Sequence, residues 1–353
     1  MKSFPPLPER DLVHIRDCTE ELWEEARGKN FFITGGTGFF GIWLLESFIY
    51  INDALGLGAT ATVLSRDPAC FARKAPHLAA RKDLFFHQGD IRDFEAPEGN
   101  FDYLIHAATE ASAHLNQERP GEMLDTIVSG MRRVLDFAAE AGVRKILFTS
   151  SGAIYGKQPS DMSHVSEAFS GAPDCLDSAS AYGEGKRVAE LMAAIHSKQC
   201  HCEMKIARCF AFVGPHLPLN AHFAIGNFIR DARAGKDICI NGDGTPYRSY
   251  LYAADLTIWL WAILFKGVSL RPYNVGSTKG YSISELACIV TSSLAPQLSV
   301  QIAKTPKPGS APSHYVPSVS RAVTELGLSE GVTLPDALKR TSDWLQFNDL
   351  FSH

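Results

Sequence analysis

The sequence predicts an α/β fold built on a doubly wound, parallel β-sheet, with a smaller second domain formed by non-contiguous segments. Three observations favour this fold class. Short β-type runs alternate with helical segments through the first 210 residues. Those runs are almost continuously apolar, as expected of strands that helices cover on both faces. A glycine-rich turn, "TGGTGFFG", joins the first run to the first long helical segment.

The predicted elements follow in order along the chain. Apolar residues recur at helical spacing from Leu12 to Ala26, which predicts an N-terminal helical extension over residues 1–29. Residues 30–210 form the predicted first domain. Its β-type runs are "FFITG", "TATVLSR", "LFFHQGD", "YLIHAA", "KILFTSS" and "MKIARCF". The alternation of β-type and helical segments ends after Phe210, so residues 211–250 and 278–350 are assigned to the second domain. The run "YNVGS" returns one strand, near residues 272–277, to the first sheet.

Composition and charge narrow the class of protein. With 353 residues, the chain can form one large α/β unit or two modest domains. Charged residues make up 21% and the formal net charge is -5, so the basic excess of nucleic-acid-binding proteins is absent. No apolar run reaches transmembrane length, and the N-terminal "MKSFPPLPERD" lacks the apolar core of a signal peptide. We therefore expect a cytoplasmic protein that contacts neither nucleic acid nor membrane.

The eight cysteines show no paired spacing, which in a reducing compartment is typical of small buried side chains or free thiols. One cluster, Cys200-His201-Cys202 with His196 a helical turn earlier, contains metal-ligating residue types. Its spacing matches no zinc pattern, and we expect no metal site.

The glycine-rich turn fits G-x-G-x-x-G at Gly36, Gly38 and Gly41. It directly follows a predicted strand and directly precedes the helical run "IWLLESFI", which is the context of a dinucleotide-binding Rossmann domain. There an early glycine permits the tight turn, Gly38 lets the backbone approach a pyrophosphate, and Gly41 lets helix and strand pack closely. The alternative is a tight turn of any α/β protein. The predicted cofactor contacts in this turn are Gly35, Gly36, Thr37, Gly38, Phe39, Phe40 and Gly41.

The end of the second predicted strand bears on the choice of dinucleotide. An NAD site usually has an acidic side chain there for the ribose 2′-hydroxyl, whereas a 2′-phosphate needs a donor or a cation. This chain has Ser65 and Arg66, which favours NADP. The nearby Asp67 keeps NAD as the alternative.

A catalytic constellation is predicted from "SAYGEGK", where Tyr182 and Lys186 stand four residues apart on one helical face. A cation beside a phenol stabilises the phenolate and lowers the pKa of the tyrosine, which permits proton exchange near neutral pH. Ser151 ends the strand "KILFTSS" and can hydrogen-bond the same reacting oxygen. We interpret the three residues as one site.

Six motifs in order resemble the extended short-chain dehydrogenase/reductase family, in its nucleotide-sugar epimerase/dehydratase branch. They are Gly35–Gly41, "GDIRD" at 89–93, "HAATE" at 106–110, "FTSSGAIYG" at 148–156, Tyr182 with Lys186, and "GDGTPYRSYLYAADL" at 242–256. The resemblance implies a Rossmann domain that holds NAD(P) and a smaller C-terminal domain that holds a nucleoside-diphosphate sugar. We also expect a homodimer.

The resemblance implies a role for each matched residue. Tyr182 would be the acid/base, Lys186 would bind the nicotinamide ribose, and Ser151 would orient the reacting oxygen. Arg248 would reach the sugar-nucleotide diphosphate, for which a guanidinium is well suited. Further cofactor contacts are implied at Asp90, Ile91, Ala107, Ala108, Thr109, Thr149 and Phe210. Substrate contacts are implied at Glu110, Ser151, Gly152, Arg248 and Tyr315.

Two departures from the family pattern narrow the chemistry. The 4,6-dehydratases carry an Asp-Glu pair where this chain has Gly152 and Ala153, so the acid and base of elimination are missing. A carboxylate from the 211–235 segment, such as Asp231, is the alternative source. Ala211 replaces an asparagine that contacts the diphosphate in many relatives.

Three functions are compared on this basis. The leading hypothesis is an NADPH-dependent reduction of a 4-keto-6-deoxy sugar nucleotide at C4. The second is a C4 epimerase with tightly bound NAD, which uses Ser151, Tyr182 and Lys186 in the same way. The third is a non-catalytic dinucleotide sensor, which has no need of that intact set.

Overall fold

A computed structural model describes residues 3–109, 113–200, 202–221, 223–309 and 311–350. Its centre is a parallel sheet of seven strands in the order β11-β6-β5-β4-β1-β2-β3. The strands are β1 (Asn30–Thr34), β2 (Thr60–Ser65), β3 (Leu84–Gln88), β4 (Tyr103–His106), β5 (Lys145–Ser151), β6 (Glu203–Cys209) and β11 (Pro272–Val275). The predicted α/β class is thus confirmed, and β11 lies beside β6 at one edge of the sheet.

The strand order creates a crevice at one edge of the sheet. The chain builds β1, β2 and β3 outward in one direction and then returns to place β4 on the other side of β1. In such sheets the loops after the two central strands diverge, and ligands bind beyond their carboxyl ends. The loops after β1 and β4 are therefore the first place to look for a site.

Helices cover both faces of the sheet. Those within the first part of the chain are α2 (Phe39–Leu55), α3 (Pro68–Lys74), α4 (Pro76–Ala79), α5 (Ala113–Glu118), α6 (Pro120–Glu140) and α7 (Ala181–Cys200). Neighbouring residues of β1 point to opposite sides, so that Phe31 joins the core on one face and Phe32 the core on the other. The apolar character of the strands follows from this two-sided burial.

Among the described residues, three small sheets and five further helices follow the first part of the chain. The sheets pair β7 (Phe212–Val213) with β10 (Leu251–Tyr252), β8 (Ile238–Ile240) with β13 (Val300–Ile302), and β9 (Tyr247–Ser249) with both β12 (Gly280–Ser282) and β14 (His314–Tyr315). The helices are α8 (Ala224–Arg233), α9 (Ala253–Lys266), α10 (Ile283–Leu294), α11 (Ser320–Leu326) and α12 (Leu334–Leu350). Within the described ranges no helix is long and apolar enough to span a membrane.

The N-terminal segment differs from the single helix predicted over Leu12 to Ala26. Helix α1 (Glu9–Thr19) ends at Thr19, and a 3₁₀ helix continues over Glu20–Ala26. The Thr19 hydroxyl donates to the Ile15 carbonyl at 2.7 Å and accepts from Trp23 Nε1 at 3.1 Å. This local bonding competes with a regular helix, and apolar spacing alone does not reveal it.

Candidate active site

The glycine turn between β1 and α2 allows three backbone segments to meet. Gly35 has φ 74°, and a Cβ there would lie 2.4 Å from the Ala107 carbonyl at the end of β4. A Cβ on Gly41 would lie 2.2 Å from the Gly35 carbonyl oxygen. Gly36 is as confined, because its Cβ would lie 2.6 Å from Val63 Cγ1. Side chains at these three positions would force the helix, the turn and the strand apart.

Gly38 faces open space instead. It is exposed, and a Cβ there would meet only the Gly35 carbonyl oxygen, at 3.5 Å. It precedes the first turn of α2, which contains no acidic side chain. Phe39 and Phe40 follow, and Phe40 packs edge-on against Phe212. An open backbone before the positive end of a 17-residue helix fits a dinucleotide pyrophosphate.

The end of β2 presents a cation to the same edge. Ser65 is buried, whereas the Arg66 side chain is exposed. The Asp67 carboxylate accepts the Cys70 N–H at 2.8 Å and so caps α3. Nearby, Asp90 binds Arg92 through two hydrogen bonds of 2.7 and 3.1 Å. These bonds with Arg92, and the charge of Arg66, hold the pKa of Asp90 below its usual value.

Of the remaining predicted cofactor residues, Ala107, Ala108 and Thr109 follow β4, Thr149 lies near the end of β5, and Phe210 follows β6. Ile91 is buried in the core under α6, and Gly130 lies beside it. Ala107 and Ala108 follow β4 directly, and the Thr109 N–H donates to the Ala107 carbonyl at 3.1 Å. Glu110, a predicted substrate contact, lies outside the described residues.

Lys186 is anchored between these two strand ends. Its side chain is buried, and its Nζ donates to Thr149 O at 2.8 Å and to Thr109 Oγ1 at 3.1 Å. The Nζ lies 4.7 Å from the Phe148 ring centroid and 5.9 Å from that of Tyr182. Burial lowers the pKa of Lys186 to about 8, against the opposing effects of Cys209 and Glu190.

Tyr182 and Ser151 meet at the carboxyl end of β5. A hydrogen bond with Ser151 lowers the pKa of the Tyr182 phenol, but burial has the larger effect and raises it to about 12. The sequence predicts the opposite net shift, from the proximity of Lys186. The difference arises because desolvation of the phenol disfavours the phenolate.

Several residues outside the predicted motifs also support this site. The Asn116 side chain accepts the Tyr182 N–H at 3.0 Å and donates to the Ala179 carbonyl at 2.6 Å, so it holds the start of α7. Arg208 donates hydrogen bonds of 3.0 and 2.7 Å to Glu190, which lies on α7 one helical turn after Lys186. No local pattern identifies these residues, because their partners are distant in sequence.

Tyr315 on β14 reaches the predicted substrate residue Gly152, and Arg248 on β9 lies beside Tyr315. A Cβ on Gly152 would lie 2.8 Å from the Tyr315 hydroxyl and 2.7 Å from the Phe210 ring. Phe210, predicted as a cofactor contact, packs against the Tyr315 ring at 4.7 Å between centroids. Arg248 pairs with Tyr315 across the two strands, its guanidinium 5.9 Å from the Tyr315 ring centroid. The space beside Gly152 is therefore filled by aromatic side chains.

Arg248 itself has few partners. It donates to the Tyr247 carbonyl at 2.7 Å, and it forms no ion pair with any described residue. Burial lowers its pKa, while Tyr250 and Tyr315 oppose the shift. By contrast, Asp231, the alternative source of a catalytic carboxylate, lies on α8 and is bonded to Arg230 at 2.9 and 3.1 Å.

Comparison with known proteins gives a consistent picture. The NAD dependent epimerase/dehydratase family matches residues 31–276. UDP-glucuronic acid decarboxylase 1 of Danio rerio is 27% identical over 318 residues, which cover 90% of this chain and 72% of that protein. UDP-glucuronic acid decarboxylase 6 of Arabidopsis thaliana is 30% identical, with 67% of each chain covered.

Solved structures share the fold. UDP-glucose 4-epimerase from Thermotoga maritima, solved with UDP-glucose, has a TM-score of 0.75 at 21% identity, covering 90% of this chain and 99% of that one. A dTDP-glucose 4,6-dehydratase from Streptomyces venezuelae, solved with NAD and TYD bound, has a TM-score of 0.77 at 23% identity, covering 91% and 98%.

Proposed function

The chain belongs to the NAD dependent epimerase/dehydratase family, in the extended branch of the short-chain dehydrogenases/reductases, and we propose that it oxidises or reduces a nucleoside-diphosphate sugar at C4. The observation that carries the proposal is the convergence of Ser151, Tyr182 and Lys186 at the sheet edge that also bears the glycine turn. A hydroxyl, a phenol and an ammonium group at one point suit proton transfer at a sugar oxygen.

The three side chains have distinct proposed roles. When bound, a nicotinamide dinucleotide supplies or accepts the hydride. Tyr182 gives or takes the proton of the sugar oxygen, Ser151 donates a hydrogen bond to that oxygen, and Lys186 holds the ribose. Because the pKa of Tyr182 is about 12 and that of Lys186 about 8, reaction near neutral pH depends on groups that stabilise the phenolate.

Arg248 is the proposed contact to the diphosphate. A partly buried guanidinium with no counter-charge among the described residues costs free energy, and a phosphate oxygen would reduce that cost through charge-assisted hydrogen bonds. Ser151, Gly152 and Tyr315 are proposed to face the sugar, together with Glu110.

We propose NADP as the dinucleotide, with NAD as the alternative. We assign binding of the 2′-phosphate to Arg66, whose side chain is exposed, whereas Asp67 is already engaged as a helix cap. The NAD-binding site of the dehydratase from Streptomyces venezuelae shows that the fold also accepts NAD in that protein.

The preferred reaction is reduction of a 4-keto-6-deoxy sugar nucleotide. Gly152 and Ala153 cannot ionise, and the aromatic side chains beside Gly152 leave no room for a carboxylate, which argues against elimination. A C4 epimerase remains a second candidate, since the matching family includes epimerases in its name and epimerisation needs no additional acid or base.

Mass spectrometry of ligands released from the denatured protein separates the two. Co-purified NAD would favour the epimerase, whereas NADP or an empty site is expected for the reductase. Products from a panel of sugar nucleotides complete the test. A 4-keto-6-deoxy product from a nucleoside-diphosphate glucose would show that the protein is a dehydratase. A pentose product from UDP-glucuronic acid would instead indicate the activity named for the Danio rerio relative.

A second copy of the chain is the proposed protein partner. Val188, Leu191 and Ile195 recur along one side of α7 and are 38%, 61% and 49% exposed. Leu124 on the adjacent α6 is also exposed. Apolar residues at this spacing suit helix packing between subunits. Sedimentation velocity is expected to show a dimer that Leu191→Asp converts to monomer.

A further inference from the structure

A cysteine, a histidine and an aspartate form a hydrogen-bonded chain where α1 meets the start of α9. Cys18 and His14 stand one helical turn apart on α1, with Cys18 Sγ 3.7 Å from His14 Nδ1. His14 Nε2 lies 3.3 Å from Oδ1 of Asp255, which belongs to the first turn of α9. Cys18 is an exposed free thiol, whereas Asp255 is buried. The order from the surface inward is therefore thiol, imidazole and carboxylate.

The carboxylate of Asp255 is fixed at the inner end of this chain. Its Oδ2 accepts the N–H groups of Gly331 and Val332, each at 3.1 Å. The arrangement also requires a glycine at position 331, because a Cβ there would lie 2.8 Å from His14 Nε2 and 3.0 Å from Asp255 Oδ1. The segment before α12 therefore leaves room for the imidazole and holds its carboxylate partner in place.

The contact with Asp255 determines which nitrogen of His14 carries the proton. A carboxylate accepts hydrogen bonds and does not donate them, so we assign the proton of the neutral ring to Nε2 and the lone pair to Nδ1. The Cys18 thiol faces that lone pair. A nucleophile, a base within hydrogen-bond reach and a third group that orients the base are the components of an activated nucleophile.

Partial burial and nearby charges keep the thiol protonated and make the imidazole a stronger base. Burial, Asp255 and Asp17 raise the pKa of the Cys18 thiol. The hydrogen bond with Asp255 raises the pKa of His14, although burial and Arg340 oppose the shift. Reaction of the thiol near neutral pH therefore depends on transfer of its proton to His14. The charged groups that face the two side chains are Asp11 and Asp17 on α1, Asp255 on α9 and Arg340 on α12.

We propose that Cys18, His14 and Asp255 form a second reactive site, at which the Cys18 thiol exchanges with a small disulfide and becomes a mixed disulfide. The inference is independent of the proposed function, because it involves none of the candidate active-site residues. Thiol–disulfide exchange needs a thiolate with access to one sulfur of the disulfide, and it develops no oxyanion that would require further donors. The three side chains are therefore sufficient for the reaction.

The exchange step balances without any further reagent. Cys18 Sγ passes its proton to His14 Nδ1 and attacks one sulfur of a disulfide R–S–S–R. A new sulfur–sulfur bond forms as the old one breaks, and the released thiolate takes the proton from His14 and leaves as R–SH. Cys18 is oxidised and the small disulfide is reduced, while His14 and Asp255 return to their initial states.

The first test compares thiols within one molecule. The full chain, reduced beforehand and freed of reductant, is treated near neutral pH with dipyridyl disulfide, an uncharged probe, and mass spectrometry of digested samples gives the modification rate of each cysteine. We expect Cys18 to react at least ~10-fold faster than three other exposed thiols, because none of them hydrogen-bonds a histidine within the described ranges. These are Cys175, Cys239 and Cys288. A Cys18 rate no higher than theirs would overturn the inference.

The second test removes the base. His14→Gln is expected to slow the modification of Cys18 at least ~10-fold near neutral pH and to leave the three comparison thiols unchanged. The matched control is His77→Gln, which removes a histidine paired with Glu46 on α2 and is expected to leave the Cys18 rate unchanged. A Cys18 rate that stays in place or rises in His14→Gln would contradict the role of His14.

The pH dependence of the Cys18 rate separates proton transfer from a merely structural effect. In the parent, the rate is expected to rise with pH through a midpoint above the ordinary histidine value of about 6.5, because Asp255 raises the pKa of His14. In His14→Gln the midpoint is expected to move upward to that of the thiol itself, whose pKa is raised. A parent midpoint at or below the ordinary histidine value would refute the role of Asp255, and one shared by both proteins would refute proton transfer to His14.

Discussion

At the scale of single residues, burial controls the chemistry of the site more strongly than proximity does. Lys186 and Tyr182 lie close together, yet each has a pKa displaced towards its neutral form. The hydrogen bond with Ser151 therefore matters, because a desolvated phenol depends on donors to become a phenolate.

The first prediction concerns Tyr182. Tyr182→Phe is expected to lower turnover by ~10²–10⁴-fold, the range typical of a lost general acid/base, while dinucleotide affinity changes little because the ring still packs. Steady-state rates measure the loss of turnover, and a dinucleotide binding titration measures the affinity. Turnover within a few-fold of the parent would require another acid.

The second prediction concerns dinucleotide choice. Arg66→Ala is expected to weaken NADP binding roughly tenfold or more and NAD binding far less, because a charge-assisted bond to a doubly charged phosphate is lost. Arg73→Ala removes the same charge from the last turn of the next helix and serves as the control. Equal losses for the two dinucleotides in Arg66→Ala would sink the NADP assignment.

At the scale of elements, the glycines in the turn from β1 to α2 are needed for different reasons. Gly41 is required by packing, since a Cβ there would collide with the Gly35 carbonyl. Gly38 is not, because its backbone has φ -92° and ψ -176°, which any residue adopts, and space surrounds it.

The third prediction follows from this contrast. Gly41→Ala is expected to lower the free energy of unfolding by at least ~1–3 kcal/mol, the usual cost of overpacking. Gly38→Ala is expected to change that free energy by less than ~0.5 kcal/mol, yet to weaken dinucleotide binding. Chemical denaturation and a binding titration measure the two effects. Full dinucleotide affinity in Gly38→Ala would mean that the pyrophosphate lies elsewhere.

At the scale of the whole molecule, the N-terminal segment joins parts of the fold that are far apart in sequence. Asp11 on α1 is buried, accepts from Arg340 on α12 at 2.6 Å, and accepts from Tyr252 before α9 at 2.7 Å. The Leu7 N–H donates to Glu46 on α2 at 2.7 Å. The segment therefore fastens the C-terminal helix to the main sheet.

The fourth prediction tests that connection. Asp11→Ala is expected to lower the free energy of unfolding by about 2–4 kcal/mol, somewhat below the usual cost of breaking a buried pair because Arg340 is 27% exposed. Asp17→Ala, which breaks an exposed pair with Arg16 on the same helix, is expected to cost about 0–1 kcal/mol. Denaturant unfolding compares the two. Similar losses of unfolding free energy in the two variants would show that the N-terminal segment does not stabilise the rest of the fold.

Features encoded by local spacing were predictable from the sequence. The glycine turn, the Tyr182–Lys186 spacing and the strand rhythm all follow from short-range rules. The contact between Tyr315 and Gly152, and the bond from Asn116 to the start of α7, depend on how remote segments pack. Desolvation of the Tyr182 phenol was equally invisible to local spacing, which is why the pKa of Tyr182 shifts opposite to the expectation.

The central claim is hydride transfer at a sugar nucleotide under the control of Tyr182. The most direct measurement follows the near-ultraviolet absorbance of NADPH after addition of a 4-keto-6-deoxy sugar nucleotide, in the parent and in Tyr182→Phe. We predict a loss of absorbance that requires protein and sugar together and nearly disappears in the variant. A variant that consumes NADPH as fast as the parent would contradict the claim. So would a parent that binds both ligands and leaves the absorbance unchanged.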